Sequence, residues 1–155
     1  MPTINADIVS LLICLFFTLY NTGVIWVLQL NHYPLYVKVG QHEFRDYLTA
    51  HNGRILLPIV LPGIAAFISS LLLLWRQPVQ IPNWSLWLVN LLNAATLLST
   101  IFVQGPAHNQ LARGGYSEIL IRKIITTNWL RTIAWTVNGL LLLWVTAMMI
   151  GAKKI

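Results

Sequence analysis

The sequence predicts an all-α membrane protein: a four-helix transmembrane bundle, one domain over residues 1–155, with two amphipathic connecting helices on one side. Three observations carry that expectation. Only 9% of the residues are charged against 57% hydrophobic, and mean hydropathy is +0.68, whereas an ordinary soluble domain carries about 25% charge. Four uncharged stretches come close to or exceed the ~20 apolar residues that cross a hydrocarbon core. Two long connections repeat their apolar residues at helical spacing. The same composition excludes other classes. The one cysteine, Cys14, cannot pair within the chain. A net charge of +6 from 10 basic and 4 acidic residues is too sparse for a phosphate-binding face, so nucleic acid is not an expected partner.

The first span is expected over residues 6–30, with no charge after Asp7 and Thr18, Asn21 and Gln29 among its few polar interruptions. It does not read as a signal peptide, because it lacks a basic leader, its apolar run is long, and no small-x-small cleavage site follows. Cys14 reads as a small buried hydrophobe. The second span, 55–75, carries Pro58, Pro62 and Gly63, tolerated in a membrane where neighbours satisfy the freed carbonyls. The third is expected over 84–105 and the fourth over 132–150. Trp75, Trp84, Trp87, Trp129 and Trp135 fall near the proposed ends, as an interfacial belt would place them.

Four spans put both termini on one side and the segments 31–54 and 106–131 on the other. The two-loop side holds Lys38, Arg45, Arg54, Arg113, Arg122, Lys123 and Arg131; the terminal side holds Arg76, Lys153 and Lys154. That imbalance places the loops in the cytoplasm and the termini outside.

Each of those connections runs to about 24 residues, long for structureless chain. Over 36–52, Tyr36, Gly40, Phe44, Tyr47, Leu48 and His51 fall within one arc of about 120° at helical period. Lys38, His42, Arg45 and Asp46 face the opposite way, and Glu43 sits at the edge of the apolar arc. His42 is therefore expected in water and His51 in protein. Over 116–128, Tyr116, Leu120, Ile121, Ile124, Ile125 and Asn128 share one side, while Glu118 and Arg122 make an i,i+4 surface pair.

Polar residues gather toward the two-loop end: Gln29 and His32 after the first span, Gln104, His108 and Asn109 after the third, Asn128 and Arg131 before the fourth, and His51 and Arg54 before the second. His51, His108 and Arg131 are the candidate catalytic residues. Arg54, Asn128, Gln104, Asn109 and Glu43 are the candidate ligand contacts. Bland alternatives stand beside them: a core histidine bonded to a carbonyl, arginines snorkelling to headgroups, and Asn and Thr side chains joining helices. Arg131, buried beside few acids, is expected to pair with Glu43 or backbone carbonyls when no ligand is bound. No close-spaced metal motif is present, so no metal ligands are assigned; metal or haem would need His32, His51 and His108 to converge in three dimensions.

The segments Gln104-Gly105-Pro106-Ala107-His108-Asn109 and Asn128-Trp129-Leu130-Arg131, with Val39 to His51 before the second span, resemble the anthrone-oxygenase-like family of small four-span bacterial membrane proteins. The resemblance implies a bacterial inner-membrane location and cofactor-independent oxidation of a phenolic molecule. In that reading a neutral histidine removes a phenolic proton and an arginine holds the anion. The competing reading is a non-catalytic scaffold: a homo-oligomer, or an accessory subunit of a larger membrane complex that contacts pigment or haem.

Overall fold

The computed structural model describes residues 6–151, and every regular element among them is helical. The α-helices are α1 (Ala6–Val27), α2 (Phe44–Arg54), α3 (Leu61–Arg76), α4 (Asn83–Ser99), α5 (Gly105–Gly114) and α6 (Glu118–Gly151). Four continuous helical stretches are long and apolar enough to cross a membrane: Ala6–Lys38, Leu56–Arg76, Asn83–Gly114 and Glu118–Gly151. They pack as a ring in which α1 touches α3 and α6, and α4 touches α3 and α6, while α2 lies on α5 across one end.

Three wide π turns interrupt the spans, at Leu28–His32, Leu56–Val60 and Thr100–Gln104. Each is followed two residues later by a proline: Pro34, Pro62 and Pro106. A proline has no N–H to donate and its ring crowds the carbonyl four residues back, so the preceding turn widens to i→i+5 bonding. All three prolines lie toward the two-loop end. Three of the four long apolar stretches therefore change their hydrogen-bonding pattern there.

Two buried apolar clusters hold the bundle. One, nearer the termini, includes Leu11, Cys14, Leu73, Leu86 and Leu142. The other, at the two-loop end, includes Tyr33, Tyr36, Phe44, Leu48, Leu111 and Trp135. Between them lies a polar layer. Asn90 donates to the Ser70 carbonyl at 3.0 Å, Asn93 donates to Ser70 Oγ at 3.0 Å, and Asn138 donates to Asn93 Oδ1 at 2.9 Å. These bonds join α3, α4 and α6, so this part of the Asn stripe serves as interhelical glue. Cys14 is fully buried, as the sequence suggests.

Several expectations need correction. The connecting helix expected over 36–52 is broken: a 3-10 turn over Pro34–Lys38 ends at extended Val39, and α2 starts only at Phe44. Gly40 sits in the break, where a helix gains least from its backbone, and a Cβ there would collide with the Glu43 carboxylate. The helix expected over 116–128 is not separate from the fourth span. It is the first part of α6, 34 residues long, or about 51 Å at 1.5 Å per residue. Nothing breaks it because proline is absent throughout and the only internal glycine is Gly139; the chain turns instead at Gly115, whose φ of +83° suits glycine alone. Likewise the third span continues past residue 105 into α5. Trp135 does not join an interfacial belt: it is 5% exposed and packs in the two-loop cluster, because it lies one turn beyond Arg131 on the same inward face of α6. The Glu118–Arg122 surface pair forms at 2.6 Å.

Candidate functional site

The broken helices at the two-loop end bring together residues far apart in the chain. His32 ends the π turn after α1, Tyr33 precedes the 3-10 turn that carries Tyr36, His51 comes from α2, His108 from α5 and Arg131 from α6. Three of the four histidines meet here. His32 Nε2 is 3.3 Å from His51 Nδ1, and the Tyr36 hydroxyl is 3.5 Å from His32 Nε2 and 3.4 Å from His108 Nε2. The His51 and His108 rings stack with centroids 5.5 Å apart. Tyr36, fully buried, is the hub of the group.

His108 has a defined proton arrangement. Its Nδ1 lies 2.8 Å from the Gln104 carbonyl oxygen, which can only accept, so Nδ1 carries the hydrogen. In the neutral ring this leaves the Nε2 lone pair facing the Tyr36 hydroxyl, 3.4 Å away. His51 Nε2 is buried without a hydrogen-bond partner.

His42 is exposed and His51 half-buried, in the order the helical arc predicts. Burial, followed by the nearby His108 and His32 rings, pushes the His51 pKa from the ordinary 6.5 down to about 4. Because the folded value lies below the unfolded one, the unfolded chain takes up more protons between them. The contribution of His51 to stability is thus present above pH 6.5 and is lost as pH falls through about 4. An NMR titration of the folded protein, with the signal assigned by His51→Gln, should show His51 protonating near pH 4. A midpoint at 6.5 would mean the ring is open to water.

Beside the cluster is a cavity of about 160 Å³, walled by Arg131, His108, Gln104, Tyr33, Asn52 and Asn109 together with the apolar Ile55, Ile59 and Val60. Arg131 is 5% exposed, its Nε has no hydrogen-bond partner, and no described carboxylate pairs with it. The Tyr33 side chain interacts with the guanidinium. Gln104 donates to Thr127 Oγ1 at 2.8 Å, which leaves its own buried Oε1 unpaired.

In comparisons with known proteins, no family model, curated protein or solved structure matches the chain.

Of the residues expected here, His108, Arg131, Gln104 and Asn109 line the cavity, whereas His51 does not line it and only stacks on His108. Asn128 does not line it. Its Nδ2 donates to Gln29 Oε1 at 2.8 Å, and Gln29 in turn donates to the Ile125 carbonyl, so it ties the first span to the fourth. Arg54 is exposed and outside the cavity wall. Glu43 does not pair with Arg131: it is exposed, with its carboxylate folded back beside Gly40. The break in the predicted helix removed it from the apolar arc. Tyr33 follows directly on a π turn, across which no helical period carries, and its nearest sequence signal is the polar pattern Asn31-His32-Tyr33-Pro34. Asn52 falls outside the apolar arc of its helix, so the period gives it no place in the site.

Among the described residues no group of three or more His, Cys, Asp or Glu is placed to hold a metal ion. Stacking explains this for His51 and His108: their rings lie within 20° of parallel, so their in-plane lone pairs run side by side and do not converge on one point.

Proposed function

We propose that the protein binds a small hydrophobic molecule with one ionisable oxygen, a phenol foremost, in the cavity at the two-loop end. The observation that carries this reading is Arg131: a buried guanidinium, lacking a described carboxylate partner, in the wall of an apolar cavity. An uncompensated buried cation costs several kcal/mol, and an anionic or strongly accepting ligand oxygen offsets that cost. A buried ionisable group within a membrane protein is by default a functional one.

The neighbours support the same chemistry. Arg131 offers a planar fork of donors for the ligand oxygen, and His108 lines the same cavity as the proton acceptor. A phenol that passes its proton to this histidine becomes a phenolate held by the guanidinium.

With Arg131 buried, six exposed basic residues remain on the two-loop side, which supports a cytoplasmic position for that end.

The test is equilibrium binding of 4-ethylphenol to the full chain in lipid nanodiscs, against protein-free nanodiscs. Saturable one-site binding that raises the fraction of probe as phenolate is expected. Absorption into lipid alone, with no saturable component, would return the protein to the scaffold reading.

A further inference from the structure

The size of the cavity and the shape of its deep side specify what kind of phenol fits. An apolar cavity of about 150 Å³ holds one benzene ring, so 160 Å³ accommodates a single six-membered ring. The cavity does not end at its apolar wall. Ile59, Val60, Thr100 and Arg131 also border a narrower cleft of about 30 Å³ that continues between the second and third spans past Gly63, Ile64 and Leu97.

That cleft has a structural origin. The bodies of α3 and α4 pack together, but the π turn before α3 packs on α2 and α3 and the π turn after α4 packs on α4, α5 and α6. Residues of both widened turns, Ile59 and Val60 from one and Thr100 and Gln104 from the other, face the cavity between them. Gly63 adds room on the α3 side. A Cβ there would meet only Trp135 Cζ2, at 3.9 Å. Ile64, at the outer edge, is exposed on the face of a span that a bilayer would cover.

We propose that the ligand is a single-ring phenol carrying a long apolar tail, dissolved in the bilayer, which reaches the cavity sideways through the cleft between α3 and α4. Its oxygen sits at Arg131, its ring fills the cavity, and its tail leaves past Gly63 into lipid. This rests on the binding reading above and adds the ligand's shape and route. The tail exchanges one hydrocarbon surrounding for another, so it contributes little affinity beyond its partitioning into the bilayer. Its signature is accommodation.

The experiment compares 4-ethylphenol with 4-nonylphenol, both referenced to their concentration in the bilayer, on the wild-type protein and on Gly63→Ala and Gly63→Leu in nanodiscs. The two phenols should compete for one site, with wild-type affinities within about tenfold of each other. Gly63→Leu should weaken nonylphenol by about tenfold or more and leave ethylphenol within about twofold, whereas Gly63→Ala should change neither. Binding of ethylphenol with exclusion of nonylphenol, or equal effects of Gly63→Leu on both, would overturn the lateral route and leave the binding reading standing. Failure of ethylphenol to bind the wild type would overturn the binding reading itself. A nonylphenol analogue with a diazirine at the tail end gives a check on the wild-type protein. Labelling at Ile64 or Leu97 is expected, and labelling at Asn52 or Asn109 would overturn the route.

Discussion

Arg131→Ala is expected to remove phenol binding while the four spans still insert and pack. A hydrogen bond to a charged group contributes about 1.5–3 kcal/mol, which is about 10- to 150-fold in affinity. The guanidinium makes the only charged contact the cavity offers among the described residues. The fold should survive because Arg131 closes no described salt bridge between helices, and its removal relieves a buried cation. Arg131→Lys keeps the charge but loses the planar fork, so it should bind with intermediate affinity. Arg113→Ala, exposed near the end of α5, should leave binding unchanged. Titration with 4-ethylphenol, alongside helicity and a monodisperse elution profile, separates binding from folding. If Arg131→Ala and His51→Ala both bound the phenol as the wild type does, the cavity would have no part in binding.

The largest effect on stability is expected at Tyr36. Its ring is fully buried and meets His32, Tyr33, Phe44, Tyr47, His51 and His108, mostly edge to face. Replacing a buried aromatic ring with alanine costs about 3–5 kcal/mol in lost contacts and unfilled space. Tyr36→Ala should therefore loosen the helical cap where the 3-10 turn, α2 and α5 meet. Tyr36→Phe should cost much less, about 1 kcal/mol, because the hydroxyl contacts at 3.4 and 3.5 Å are long for hydrogen bonds. Denaturant unfolding in mild detergent distinguishes the two. An equal loss for both variants would place the stability in the hydroxyl and not in the ring.

The four long apolar helices, the greater burial of His51 than of His42, the buried Cys14 and the Glu118–Arg122 pair were legible because each depends on a local property. Hydrophobic length reports a span, and a period of 3.6 residues reports which side chains share a face. A residue's own helix determines both. The two-loop location of the polar groups was legible for the same reason, since it needs only the order of spans and loops.

Tertiary structure decided which of those groups touch. A π turn adds about one residue to a helix, which rotates every later side chain by about 100° relative to an uninterrupted helix. Three such turns stand before or within the site, so the facings of His32, Gln104 and His108 could not be carried across them from the period of α1 or α4. The break at Gly40 did the same to Glu43, turning an expected partner of Arg131 into an exposed acid. Asn128 and Gln104 have similar polar side chains in neighbouring segments. Only packing made the first an interhelical tie to Gln29 and the second a cavity wall. The sequence by itself determined an all-helical protein with four helices long and apolar enough to cross a membrane and its polar chemistry at one end. The joining of His108, Tyr36 and Arg131 around one cavity was set by the relative rotation of helices, which depends on turns and packing and leaves no local periodic trace.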